Sequence, residues 1–135
     1  MIVVDSSVLV YFWLPGDFTE LAEAAKQRDG TWAAPILWRS QFRTVLADCL
    51  RKNLLTEAEA NIAHANAQKD LGDHEFAVPT ERIIKLVLAS DCSANDCEYV
   101  ALAQDLGVPL VTPDKQVLRA FPKIAVSLEE FAKKK

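Results

Sequence analysis

Apolar residues follow two rhythms along this chain. Short unbroken runs occur at Ile2-Val3-Val4, Thr31 to Ala34, Val108 to Val111 and Ile124 to Val126. They read as buried strands, because a run apolar on both faces suits a parallel strand covered on both sides. His74 to Val78 adds a short strand of weaker pattern. Between these runs the apolar positions recur at three- and four-residue spacing, the signature of helices with one inward face. Ser7 to Phe12 reads as a short helix or turn closed by Pro15-Gly16, with Ser6 or Ser7 as its cap. Asp17 or Thr19 caps a helix running to about Arg28, with Leu21, Ala24 and Ala25 inward, and Asp29-Gly30 ends it.

Pro35 reads as the first-turn proline of a helix to about Lys52, in which Trp38, Phe42, Val45, Leu46, Cys49 and Leu50 form one stripe. Gln41 projects from that stripe and needs a partner there, while Arg39 and Arg43 point about 160° away around the helix. Asn53 is a stop, and Thr56 with Glu59 makes a capping box for a helix to about Leu71, broken by Gly72-Asp73. Pro79 or Thr80 opens a helix to Ala89 with Ile83, Ile84, Val87 and Leu88 inward. Ser93 caps a helix to Leu106, ended by Gly107, on which Asp96 shares the face of Tyr99, Val100 and Ala103. Lys115 to Ala120 is a short helix, Ser127 with Glu130 caps a terminal turn to Phe131, and the lysines at 133–135 are expected to be frayed and solvated.

Strands alternating with helices imply a parallel sheet covered on both faces and joined by right-handed crossovers. The expectation is a single three-layer α/β domain over residues 1–135. In that arrangement Asp5 and Asp114 each stand just past a strand's C-terminal end, the edge at which open α/β sheets bind ligands. The helices carrying Gln41 and Asp96 can deliver them to the same edge.

Bulk composition changes this picture little. The chain has 135 residues, 50% hydrophobic and 25% charged, enough apolar material for a real core in one domain. No apolar run approaches the ~20 residues that span a bilayer, and no basic-then-apolar leader is evident. Cys49, Cys92 and Cys97 lack paired C-x-x-C spacing and read as reduced thiols, which together point to a cytoplasmic protein. His64 and His74 lie outside any metal signature and read as structural or surface residues. The net charge of −4 offers nucleic acid no global attraction, so such binding would rest on a local basic patch or on metal ions at an acidic site.

Three carboxylates on one edge repel unless a cation joins them. Mg2+ or Mn2+ fits, because hard divalent ions take carboxylate oxygens, keep several waters and engage phosphates. Such an ion can polarise a phosphodiester and supply hydroxide for in-line attack. With neither Cys nor His in the set, zinc is disfavoured. Neither histidine has a nucleophilic partner, and the glycine-rich nucleotide loops are missing. A haloacid-dehalogenase-like site needs a second Asp where Ser7 stands, and a receiver domain needs paired acids after the first strand.

The segments VVDSSVLV, APILWRSQFRTVL, SANDCEYVALAQDLGVPLVTPDK and IAVSLEEF together resemble a PIN domain, specifically the VapC-like toxin ribonucleases of bacterial toxin–antitoxin modules. The resemblance spans essentially the whole chain. Its most specific part is the late block, an Asp opening an Ala-rich helix and then a strand ending in T-x-D. It implies a central five-stranded parallel sheet flanked by helices, Mg2+- or Mn2+-dependent cleavage of RNA, a homodimer, and inhibition by a cognate antitoxin. By position, Asp5, Asp96 and Asp114 would be the metal ligands, with Ser6 and Thr112 supporting them. Gln41 departs from the pattern, since the family usually carries Glu there. It keeps a carbonyl but brings no charge, which implies lowered or altered activity, or a Glu replaced deliberately to tame a toxic enzyme. The different reading is a PIN-like module that holds RNA or protein without cutting. Lys115, Arg119, Lys123, Arg51 and Lys52 are the candidate cations for RNA phosphates.

Overall fold

The computed structural model describes residues 1–133. Ile2–Val4 forms β1, the middle of a five-stranded sheet whose order is β3-β2-β1-β4-β5. The other strands are β2 (Trp32–Pro35), β3 (Glu75–Phe76), β4 (Leu110–Thr112) and β5 (Ala125–Ser127), and every pairing is parallel. β1, β2 and β4 are buried along their whole length, as their bare apolar runs require.

The helices are α1 (Ser6–Trp13), α2 (Thr19–Arg28), α3 (Trp38–Arg51), α4 (Glu57–Leu71), α5 (Thr80–Leu88), α6 (Ala94–Leu106), α7 (Lys115–Ala120) and α8 (Leu128–Lys133). α1, α4 and α8 pack on one face of the sheet, with α2 against α1 and α8, and α3 against α1 and α4. α6 lies across β1, β2 and β4, and α5 rests on α6. The expected three-layer α/β architecture is therefore present. Because the chain builds outward from β1 to β3 and then returns to β4 on β1's other side, the connection reverses direction between β1 and β4. That reversal opens a crevice at the strands' C-terminal ends.

Several local expectations hold for the reasons given. Thr56 Oγ1 accepts from Glu59 N–H at 3.1 Å while the Glu59 carboxylate accepts from Thr56 N–H at 2.9 Å, completing the capping box of α4. Asn53 takes φ 58° just after α3, a left-handed stop that Asn tolerates. Gly107 ends α6 at φ 67°, where a Cβ would be strained. Ser127 Oγ accepts from Glu130 N–H at 3.1 Å at the start of α8.

Others need correction. Pro35 does not open a helix; it closes β2, paired with Phe76, and α3 begins at Trp38. The β2–β3 ladder draws its N–H donors from Ala34 and Ile36, so the donor that Pro35 lacks is not needed. Asp5, not a serine, occupies the cap position of α1, and Phe18 occupies that of α2. On α5 only Ile83 and Val87 of the four expected residues pack against the core; Ile84 is 49% and Leu88 83% exposed. Lys133 closes α8, and residues 134 and 135 of the expected frayed end lie outside the described residues.

Candidate active site

At the crevice between β1 and β4, Asp5 and Thr112 meet across neighbouring strands. Asp5 N–H donates to the Val111 carbonyl at 3.1 Å, which carries the strand pairing one residue past β1 and sets the Asp5 carboxylate at the sheet edge. Although Asp5 stands at the cap position of α1, its side chain makes no capping bond. It accepts instead from the Thr112 hydroxyl at 2.7 Å and from Ser6 Oγ at 3.3 Å. Thr112 is fully buried, and its Oγ1 in turn accepts from Asp114 N–H at 3.1 Å. One hydroxyl thus ties the two strand-end aspartates together.

Asp114 divides its carboxylate. Its Oδ1 accepts from Gln116 and Val117 N–H groups at 2.9 and 3.3 Å, capping α7, which leaves Oδ2 for other partners. Asp96 reaches the same edge from the first turn of α6, where its N–H donates to Ser93 Oγ at 3.1 Å. Burial holds the Asp96 carboxyl above the usual carboxylate range. The charges of Asp114 and Asp5 push the same way, against bonds from Ser93. The three aspartates therefore share one field, and no cationic side chain forms an ion pair with any of them among the described residues.

Gln41, in the first turn of α3, completes the far side. Its Oε1 accepts from the Tyr99 hydroxyl at 2.6 Å, the partner that a polar residue on a buried stripe requires. Tyr99 is buried on α6 one turn beyond Asp96, and burial first, then the Asp5 charge, raises its phenol well above the ordinary value. The structure thus gathers Asp5, Ser6, Gln41, Asp96, Thr112 and Asp114, and adds Tyr99, which the sequence reading placed on the Asp96 face without a site role.

The candidate cations separate. Lys115 follows Asp114 directly on this edge. Lys123 precedes β5 and borders Gly107 and Pro109 at the opposite, N-terminal edge. Arg51 and Lys52 end α3, the helix that carries Gln41 in its first turn, and Lys52 pairs with Asp48 at 3.0 Å. Arg119 is exposed near the end of α7. His64 stacks on Trp38 with ring centroids 4.9 Å apart, on the packed side of α3, as a structural residue does. Cys92 and Cys97 are buried free thiols and Cys49 is a half-buried one.

As for a metal, the donors are hard oxygens carrying uncompensated charge, which suits Mg2+ or Mn2+. Among the described residues, no three His, Cys, Asp or Glu side chains converge closely enough to enclose an ion. The set fits an ion held by a few carboxylate oxygens with waters filling the remainder, not an all-protein cage.

A doubly wound parallel sheet with acidic side chains at its reversal point defines a class of α/β proteins that work at the strands' C-terminal edge. Within that class the chain belongs to the PIN domain family, whose model matches residues 2–124. Ribonuclease VapC3 of Pyrobaculum aerophilum is 28% identical over 130 residues, covering 91% of this chain and 96% of that protein. Two crystal structures share the fold. PAE2754 from Pyrobaculum aerophilum superposes with a TM-score of 0.76 at 19% identity, over 97% of this chain and 92% of that one. FitAcB from Neisseria gonorrhoeae gives 0.72 at 16% identity, over 95% of this chain and 98% of that one. Among the described residues no helix is long and apolar enough to cross a membrane.

Proposed function

We propose that this protein is a metal-dependent endoribonuclease, the toxin of a type II toxin–antitoxin pair, with activity lowered by Gln41. The observation that carries this reading is the Asp5–Thr112–Asp114 bridge facing Asp96 at the reversal point of the sheet. Similarity along most of its length to a protein named Ribonuclease VapC3 supports the substrate class. The reading brings with it a single catalytic domain over residues 1–135, a cognate antitoxin as partner, a homodimer and a cytoplasmic setting.

Asp5, Asp96 and Asp114 would hold Mg2+ or Mn2+. A bound ion would neutralise phosphate charge and lower the pKa of a coordinated water, so that hydroxide is available as the nucleophile near neutral pH. Thr112 fixes Asp5 by donating to one oxygen while Ser6 donates to the other, so the carboxylate cannot rotate away. Asp114 is held by the α7 amides it caps. Gln41 offers a carbonyl without charge or basicity, and Tyr99 already bonds that oxygen. It can orient a water but cannot take up a proton as a Glu could.

Cleavage of single-stranded RNA with Mg2+ or Mn2+, abolished by EDTA, by Asp96→Asn and by Asp114→Asn, is the expected result. Gln41→Glu should cleave faster than the parent chain. If neither form cuts RNA in the absence of antitoxin, the nuclease reading fails. The neutral corner at Gln41 favours one other reading, a PIN module that binds RNA or protein without turnover. RNA retention by Gln41→Glu with no cleavage would select it.

A further inference from the structure

Beside the acidic edge lies an apolar pocket of about 300 Å3, lined by Tyr11, Phe18, Pro113, Lys115 and Glu129 among others. It adjoins the site through the chain, because Pro113 and Lys115 of its lining flank Asp114. Two residues of its lining, Phe18 and Lys115, stand where the fold alone does not favour them. Phe18 stands at the cap position of α2 with no side-chain capping bond, where Ser, Thr, Asp or Asn would serve the helix better. Its ring is also 48% exposed, tilted 35° against Tyr11 with centroids 4.8 Å apart. Lys115 opens α7, where its charge opposes the helix dipole. Neither Lys115 nor Glu129 forms an ion pair among the described residues.

We propose that this pocket receives one RNA base bearing an exocyclic amine, stacked on Tyr11 and Phe18, with its phosphate led past Lys115 toward the aspartates. The proposal rests on the ribonuclease reading above and names the specificity of that site. Aromatic rings at a pocket wall offer a stacking platform to any base. A cation on that lining, next in the chain to Asp114, matches the charge order of a nucleotide, base in the pocket and phosphate toward the aspartates. Glu129 at the rim supplies an acceptor, which favours the amino group of cytosine over the carbonyl of uracil. The volume stands at the small end of the range for small-molecule sites, which suits one base and excludes a stack of several.

The test is a titration of the intact chain with 5′-CMP and 5′-UMP in EDTA, followed by NMR at the Tyr11 and Phe18 rings. CMP should shift both rings and bind several-fold tighter than UMP. Phe18→Ala should weaken CMP by about tenfold, within the range for a lost base stack. Its amide spectrum, compared with the parent's, reports that the fold is kept. Glu129→Gln should shrink the difference between CMP and UMP. Rings unmoved by CMP, affinity unchanged in Phe18→Ala, or ring shifts that follow protein concentration instead of nucleotide would overturn the proposal; the last would make the pocket a contact between copies. Because EDTA removes the chemistry, the two readings fail separately. RNA cleavage without ring shifts removes the base pocket alone, and ring shifts without cleavage remove the nuclease alone.

Discussion

Tyr99 and Gln41 form the neutral corner of an otherwise acidic edge, and the pair decides how that corner behaves. The phenol donates at 2.6 Å to the only side-chain oxygen that Gln41 has. Tyr99→Phe keeps the ring's packing and removes that donor, so unfolding in urea should show a loss of about 1 kcal/mol, the net value of one hydrogen bond. Stability equal to the parent's would mean the bond contributes nothing. Gln41→Glu acts in the opposite sense on charge. It adds a fourth carboxylate to an edge where burial, and then the charges of Asp114 and Asp5, already hold the Asp96 carboxyl above its ordinary value. Without divalent metal the variant should melt below the parent, and MgCl2 or MnCl2 should raise its melting temperature more than the parent's, because binding to the folded state alone stabilises it. An equal response in both chains would remove Gln41 from the ion's surroundings. The aspartates were legible in the sequence because an acid directly after a buried strand, or at a helix start, is tied to a definite edge of the fold. Tyr99 was not, since a tyrosine on an apolar helix face reads as core, and the group its hydroxyl finds is 58 residues away in the chain.

At the scale of elements, β3 shows how little backbone an edge strand needs when a side chain anchors it. It is two residues long, and Glu75 within it accepts from Trp38 Nε1 at 2.6 Å and from Arg39 through two bonds of 2.7 Å each. The Arg39 bond leads the causes that hold the Glu75 carboxyl below the usual range, against the pull of burial. A depressed carboxylate stabilises the fold at pH values above its unfolded value and loses that contribution as pH falls through the folded one. Glu75→Gln should therefore cost about 1–3 kcal/mol at pH 7, and the gap from the parent should close on acidification below the normal carboxylate range. A gap independent of pH would assign the loss to packing. The same region shows where element boundaries resist sequence reading. A proline before an apolar helix suits the first-turn rule, yet Pro35 completes β2, because a parallel ladder asks only alternate residues of that strand for N–H donors toward β3. α5 resists for another reason. Its apolar stripe is genuine, but it is wider than the contact with α6, so Ile84 and Leu88 remain outside.

For the whole molecule, the alternation of strands and helices carried the parallel sheet and its layers, and the resemblance carried the strand number. Neither carried the strand order, because which side of β1 receives β4 is settled by packing across the sheet and leaves no local mark. That order puts the aspartates at a crevice and α5 on the outer side of α6, with Ile84 and Leu88 lining a shallow cleft of about 600 Å3 on the surface. The homodimer of the proposed reading is expected to close on this apolar face, which a two-fold contact would use twice. Leu88 is 83% exposed, so Leu88→Asp removes almost no packing within one chain and should leave the melting temperature of dilute protein unchanged. By sedimentation equilibrium the parent should be a dimer in the micromolar range and Leu88→Asp a monomer. The site lies at the strands' C-terminal edge, whereas this face is on the back of α5, so the monomer should keep whatever RNA cleavage the parent shows. A parent that sediments as a monomer, or a Leu88→Asp variant that stays dimeric, would move the interface elsewhere. Loss of cleavage on conversion to the monomer would instead mean that the acidic edge needs the second copy.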